Sequence, residues 1–164
     1  MKKKNTNTLT NSRPEAKLIH RLFPGLLTAI IILSILWLTL APHPLPETNL
    51  PLFPGADKLV HAIMFGTLAG VLCLDRDLWR VRRLKRTGLL PAGSSLIPPR
   101  HVAIIICIII AAVAFGGLIE VLQEQMHAGR TGDGWDFVAD TAGAITGGIA
   151  GPSVARWITG LKDY

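Results

Sequence analysis

Residues 102–122 read VAIIICIIIAAVAFGGLIEVL, a run without a charged side chain until Glu120. About 20 apolar residues cross a ~30 Å hydrocarbon core as an α-helix, so this stretch predicts a membrane span whose end carries Glu120, Gln123 and Glu124. Working outward, residues 22–41 are a second clear span. Residues 59–74 form a shorter one, adequate if Asp57 and Lys58 sit among headgroups. Residues 137–158 form a fourth, rich in Gly, Ala and Thr and containing Pro152. A helix of small residues suits the inside of a bundle better than a lipid-facing position. The fold expected is all-α: an integral membrane four-helix bundle, up-down-up-down, over residues 22–158. A basic segment, 1–21, precedes it and a short tail, 159–164, follows.

The chain of 164 residues is 49% apolar and 17% charged, with a mean hydropathy of +0.41. That is too apolar for an ordinary soluble domain. A net charge of +6 raises the question of nucleic acid, but its distribution answers it. Six Lys/Arg precede the first span and seven lie between the second and third, from Arg76 to Arg100. Arg156 and Lys162 lie within or after the fourth. The two opposite connections hold only Lys58 and Arg130. This alternation is the positive-inside pattern, with both termini cytoplasmic, and it implies anionic lipid as the partner and no nucleic acid. The expected location is the cytoplasmic membrane of a bacterial cell.

The first apolar run is longer than a signal-peptide core and ends Leu40-Ala41-Pro42 without a small-x-small cleavage pattern, so it reads as a retained helix. Cys73 and Cys107 lie in spans with no motif around them, and imply neither a disulfide nor a zinc site. A proline-rich connection with Pro42, Pro44, Pro46, Pro51 and Pro54 follows the first helix. Asp57 then stands where a helix N-cap belongs. The connection from Asp75 begins as a basic helical extension and becomes a loop at Gly88. Trp37, Trp79, Trp135 and Trp157 fall near span ends, as interfacial belt residues do.

Ionisable groups from distant parts of the chain converge on one depth. Asp57 and His61 are i, i+4 at the outer end of the second helix. Glu120, Gln123 and Glu124 close the third, and Asp136 and Asp140, again i, i+4, open the fourth. Arg130 lies in the connection between the last two. Asp57, Glu120, Glu124, Asp133, Asp136 and Asp140 stand against Lys58 and Arg130 alone. Charge near hydrocarbon is costly and is retained where it pairs or functions. Below Asp140, the stripe Gly143, Gly147, Gly151 forms small-xxx-small repeats, and Gly66 and Gly70 offer a second close-contact face.

Three readings of the cluster stay open. It is a structural lattice in which Arg130 bridges carboxylates, a site for a polar or cationic headgroup or other envelope molecule, or a hydrolytic or metal site built on His61. The oxygen ligands suit a hard metal, but there is no His-Glu-x-x-His pattern, so the sequence assigns no catalytic residue, metal or cofactor. The leading expectation is non-enzymatic. A membrane-embedded metal- or His-assisted hydrolase or transferase acting on a lipid-linked substrate is the alternative. A transporter is disfavoured, since four helices without an inverted repeat offer little pathway. The oligomeric state is open.

Asp57-Lys58-Leu59-Val60-His61, then Glu120-Val121-Leu122-Gln123, then Arg130, then Asp136 with Gly143 after it, resembles the VanZ-like membrane proteins. Their pattern runs Asp-Lys-x-x-His, Glu-x-x-Gln, a loop Arg, and Asp-x-x-x-Asn followed by Gly. The resemblance covers about residues 57–151. It departs at Asp140, where the pattern has Asn, so an additional negative charge replaces an amide donor. What the resemblance implies is an integral membrane protein acting at the cell envelope. The family's founding member is associated with resistance to the glycopeptide teicoplanin.

Overall fold

The computed structural model describes residues 25–41, 53–87, 101–126 and 133–159. The N-terminal basic segment, the proline-rich stretch 42–52, the loop 88–100, Arg130 and the last five residues lie outside the described residues. All regular structure among the described residues is helical: α1 (Leu26–Leu40), α2 (Ala56–Thr87), α3 (His101–Met126) and α4 (Gly134–Thr159).

Local signals set the helix ends. Ala41 is extended, as expected for a residue that precedes a proline, and α1 stops there. Gly55 has φ 86°, a left-handed conformation that glycine adopts without steric cost. Its carbonyl accepts the Leu59 N–H at 3.2 Å, so Gly55 takes the cap position and α2 starts at Ala56, two residues earlier than an N-cap at Asp57 implies. Asp57 therefore lies in the first turn, where a carboxylate complements the helix dipole, and not at the cap. The α2 helix runs on through the basic extension to Thr87. The span read as 16 residues is thereby part of a continuous apolar stretch, Ala56–Arg80. At the start of α4, the Asp133 carbonyl accepts from Asp136 at 2.8 Å and from Phe137 at 3.3 Å.

Contacts fix the directions. Thr28, early in α1, donates to Asp75 Oδ2, late in the apolar part of α2, at 2.6 Å, while Gln123 near the end of α3 donates to the Thr39 carbonyl near the end of α1 at 2.9 Å. Hence α1 and α3 run one way and α2 and α4 the other. The most extensive contact joins α2 and α4, which are parallel and non-consecutive. A Cβ at Gly143 would collide with the Ala62 carbonyl, and one at Gly147 with the Gly66 carbonyl. One at Gly151 would lie 3.0 Å from the Gly70 Cα. The two small-residue stripes therefore climb together in four-residue steps, backbone against backbone. All four helices supply the buried core: Ile35, Phe65, Leu68, Ala112, Ile119 and Ala144.

The outside of this bundle is apolar. Leu33, Ile63, Ile110 and Ile149 are each more than half exposed. Two helices, Ala56–Arg80 and Val102–Met126, are long and apolar enough to cross a membrane, while α1 is shorter. Trp37 and Trp135 lie at one end of the bundle, Trp79 and Trp157 at the other, and all four are exposed. The helical path from Trp135 to Trp157 is about 33 Å at 1.5 Å per residue.

Candidate functional site

The N-terminal ends of α2 and α4 and the C-terminal end of α3 meet at the end of the bundle marked by Trp37 and Trp135. Their ionisable side chains form two layers. In the outer layer, Lys58 Nζ donates to Asp57 Oδ2 at 2.9 Å, to Asp133 Oδ2 at 3.0 Å and to Asp136 Oδ1 at 3.3 Å. A single ammonium with three donors thus joins the first turn of α2 to the start of α4. Asp133 is the N-cap of α4: its Oδ1 accepts the Trp135 N–H at 2.9 Å, the bond that Asp supplies at a helix start. That backbone bond, and then Lys58, hold the Asp133 carboxyl below its ordinary 3.8. The Asp133 N–H in turn donates to Glu120 Oε2 at 2.8 Å, tying the end of α3 to the same junction.

The inner layer is His61, Asp140 and Glu120, one residue from each of the three helices. His61 Nδ1 lies 2.9 Å from Asp140 Oδ1, so with the carboxylate ionised, Nδ1 carries the proton and donates it. On the other side of the ring, Nε2 is 3.9 Å from Asp136 Oδ2, beyond hydrogen-bonding distance. Asp140 is 0% exposed and His61 9%. The Asp140 carboxylate lies against Gly116 on α3, where an added Cβ would come within 2.9 Å of Oδ2 and 3.3 Å of the Phe65 ring. Glycine at 116 is what leaves room for the acid. Asp140 Oδ2 and Glu120 Oε1 are buried without a hydrogen-bonding partner. Glu120 also lines an open hollow of about 360 Å³, together with Val121, Glu124, Gln125, Gly134 and Phe137.

Of the residues singled out in the sequence, Asp57, Lys58, His61, Glu120, Asp136 and Asp140 come together here. Gln123 is buried beside them and its amide N–H donates to the α1 carbonyl of Thr39, which fastens a helix. Glu124 faces the hollow, and Arg130 is outside the described residues. The bridging of carboxylates that the sequence suggested for Arg130 is carried, among the described residues, by Lys58. Asp133 was counted only as a charge, though its position just before an apolar helical run is an N-cap signal. The opposite end holds a second polar group absent from the sequence reading: Asp75 with Thr28, and Asp77 paired with Arg76. Comparison with family models, with curated proteins and with solved structures gives no match.

Proposed function

We propose that the chain is a multi-pass membrane protein of the bacterial cell envelope, related to the VanZ-like proteins, whose acidic cluster binds a polar or cationic group presented from outside. The observation that carries this reading is the inner layer: Asp140 and Glu120, from different helices, keep buried oxygens without a hydrogen-bonding partner, Glu120 lines an open hollow, and the nearby ammonium of Lys58 is taken up by the outer carboxylates. Such acceptors cost a purely structural lattice about 1–3 kcal/mol each. Membrane insertion is supported by the exposed apolar faces of α2 and α3 and by tryptophans separated by about the thickness of a hydrocarbon core. The basic run Arg76, Arg80, Arg82, Arg83 and Arg86 lies at the end away from the cluster, which supports an external cluster and cytoplasmic termini.

The test is purification in detergent and reconstitution into nanodiscs of phosphatidylethanolamine or of phosphatidylglycerol. The ammonium headgroup is expected to raise the unfolding temperature, and to co-purify in native mass spectrometry. Equal midpoints in the two lipids, with no bound molecule, would count against a cationic ligand. The hydrogen bond between His61 and Asp140 favours a second reading, a hydrolase or transferase acting on a lipid-linked substrate. An imidazole held by a carboxylate is the arrangement of a positioned general base. Turnover of a lipid-linked phosphate that disappears in His61→Gln would establish it.

A further inference from the structure

We propose that the inner layer is a metal site, in which His61, Glu120 and Asp140 hold one divalent transition ion of the Zn²⁺ or Mn²⁺ kind. The proposal rests on reading the cluster as a place that takes a ligand, and it names that ligand. Each of the three residues offers one donor atom, and the three atoms lie within 4.8 Å of one another. Donors bound to one ion at about 2.1 Å sit about 3.4 Å apart in tetrahedral geometry, so a small rotation, chiefly of the partly exposed Glu120, closes the set.

Acidic residues near one another do not make a metal site, and two further observations point to an ion. Asp140 is completely buried, yet its Oδ2 has no partner and faces Gly116 of α3, the helix that carries Glu120 one turn later. A buried carboxylate with an orphaned oxygen calls for a proton, a water or a cation. The charge is also right. Lys58 bonds Asp57, Asp133 and Asp136, and no hydrogen bond from it reaches Glu120 or Asp140. Their two negative charges, with a neutral imidazole, balance a dication.

The donor set selects the metal. The imidazole nitrogen favours Zn²⁺ and its neighbours and the two carboxylates also suit Mn²⁺, whereas Mg²⁺ and Ca²⁺ prefer all-oxygen shells. With Nδ1 and an Asp140 oxygen on the ion, the Nε2–H points to Asp136 Oδ2, now at 3.9 Å. That is the outer carboxylate that metal-bound histidines ordinarily have, and it is itself anchored by Lys58. Three protein donors leave a coordination position open, as in zinc sites that accept water or substrate. Glu120 places that position beside the hollow.

The full chain in detergent would be stripped with chelator and dialysed against Zn²⁺, Mn²⁺, Mg²⁺ or Ca²⁺ in turn, with metal per chain read by plasma mass spectrometry. We expect stoichiometric uptake of Zn²⁺ or Mn²⁺ and a raised unfolding temperature. Affinity should fall at least about tenfold in His61→Gln and Asp140→Asn and stay unchanged in Cys107→Ser, an exposed thiol outside the cluster. To keep the test independent of how buried variants fold, Co²⁺ is added to the wild type, where visible d–d absorption reports nitrogen and oxygen ligation directly. Substoichiometric uptake by the wild type, or equal uptake by folded His61→Gln, overturns the proposal. Tetramethylammonium is run alongside: if it stabilises the protein while no metal binds, the metal assignment falls and the cation-binding reading stands. If neither binds, both fall.

Discussion

Asp140 is a carboxyl side chain at zero exposure, and its surroundings define what can replace it. Its Oδ1 is the acceptor for a buried imidazole N–H. Asp140→Ala leaves that donor unsatisfied, which should cost about 1–3 kcal/mol, read as a lower unfolding temperature in metal-free detergent solution. Asp140→Asn keeps an acceptor of the same shape and should recover most of the loss. It is also the residue that the VanZ-like pattern carries at this place, so metal-free stability and metal affinity should separate in this one variant. Asp133 gives a pH signature. Its carboxyl titrates below its ordinary value in the folded protein, so the stabilisation it provides is fully present above about pH 4 and is lost as pH falls through the lower native value. The acid limb of thermal stability should therefore be shallower in Asp133→Asn, which still caps α4 but no longer carries the charge that Lys58 bonds. Overlapping acid limbs in variant and wild type would show that this carboxylate contributes nothing through its charge.

At the scale of helices, periodicity made some of the arrangement legible and could not supply the rest. The i, i+4 pairs Asp57/His61 and Asp136/Asp140 each mark one face, and the glycine stripes mark two more. Which face meets which is another matter, because helical spacing gives direction around an axis and says nothing of register between axes. His61 finds Asp140, 79 positions away, and the Gly66 stripe meets the Gly147 stripe in a parallel crossing between non-consecutive helices. The short connection between α3 and α4 gives no hint of that crossing. The bridging role of Lys58 is hidden from the sequence for a related reason: its reach across three carboxylates depends on the approach of the α2 and α4 starts. The crossing itself is testable. Gly147→Leu drives a side chain into the Gly66 backbone, which cannot rotate away, and should cost about 3 kcal/mol, the upper part of the overpacking range. Ala150→Leu, on the exposed face of the same helix, should be close to neutral. Equal unfolding temperatures for the two variants would mean that α2 and α4 do not touch as described.

For the whole molecule, the testable statement is which end faces out. In a background with Cys107→Ser and Cys73→Ala, Phe53→Cys lies at the cluster end and Thr87→Cys at the basic end. Impermeant thiol reagents applied to intact cells should label the first and spare the second. The reverse result would turn the bundle over and put the cluster in the cytoplasm. The expected orientation rests on the Lys/Arg alternation alone, because the translocation bias acts on loops and needs no knowledge of packing. The parallel pairing of α2 with α4 also governs how the protein is made. Helices leave the ribosome in order, and the 79 residues between His61 and Asp140 represent about 4–16 s of synthesis at 5–20 residues per second. Throughout that interval α2 holds its glycine face without its mate, with α3 already emerging beside it. A nascent chain that stalls before Asp136 lacks α4 and with it Asp140, and the Gly66–Gly70 backbone that Gly143, Gly147 and Gly151 cover in the finished fold stays bare.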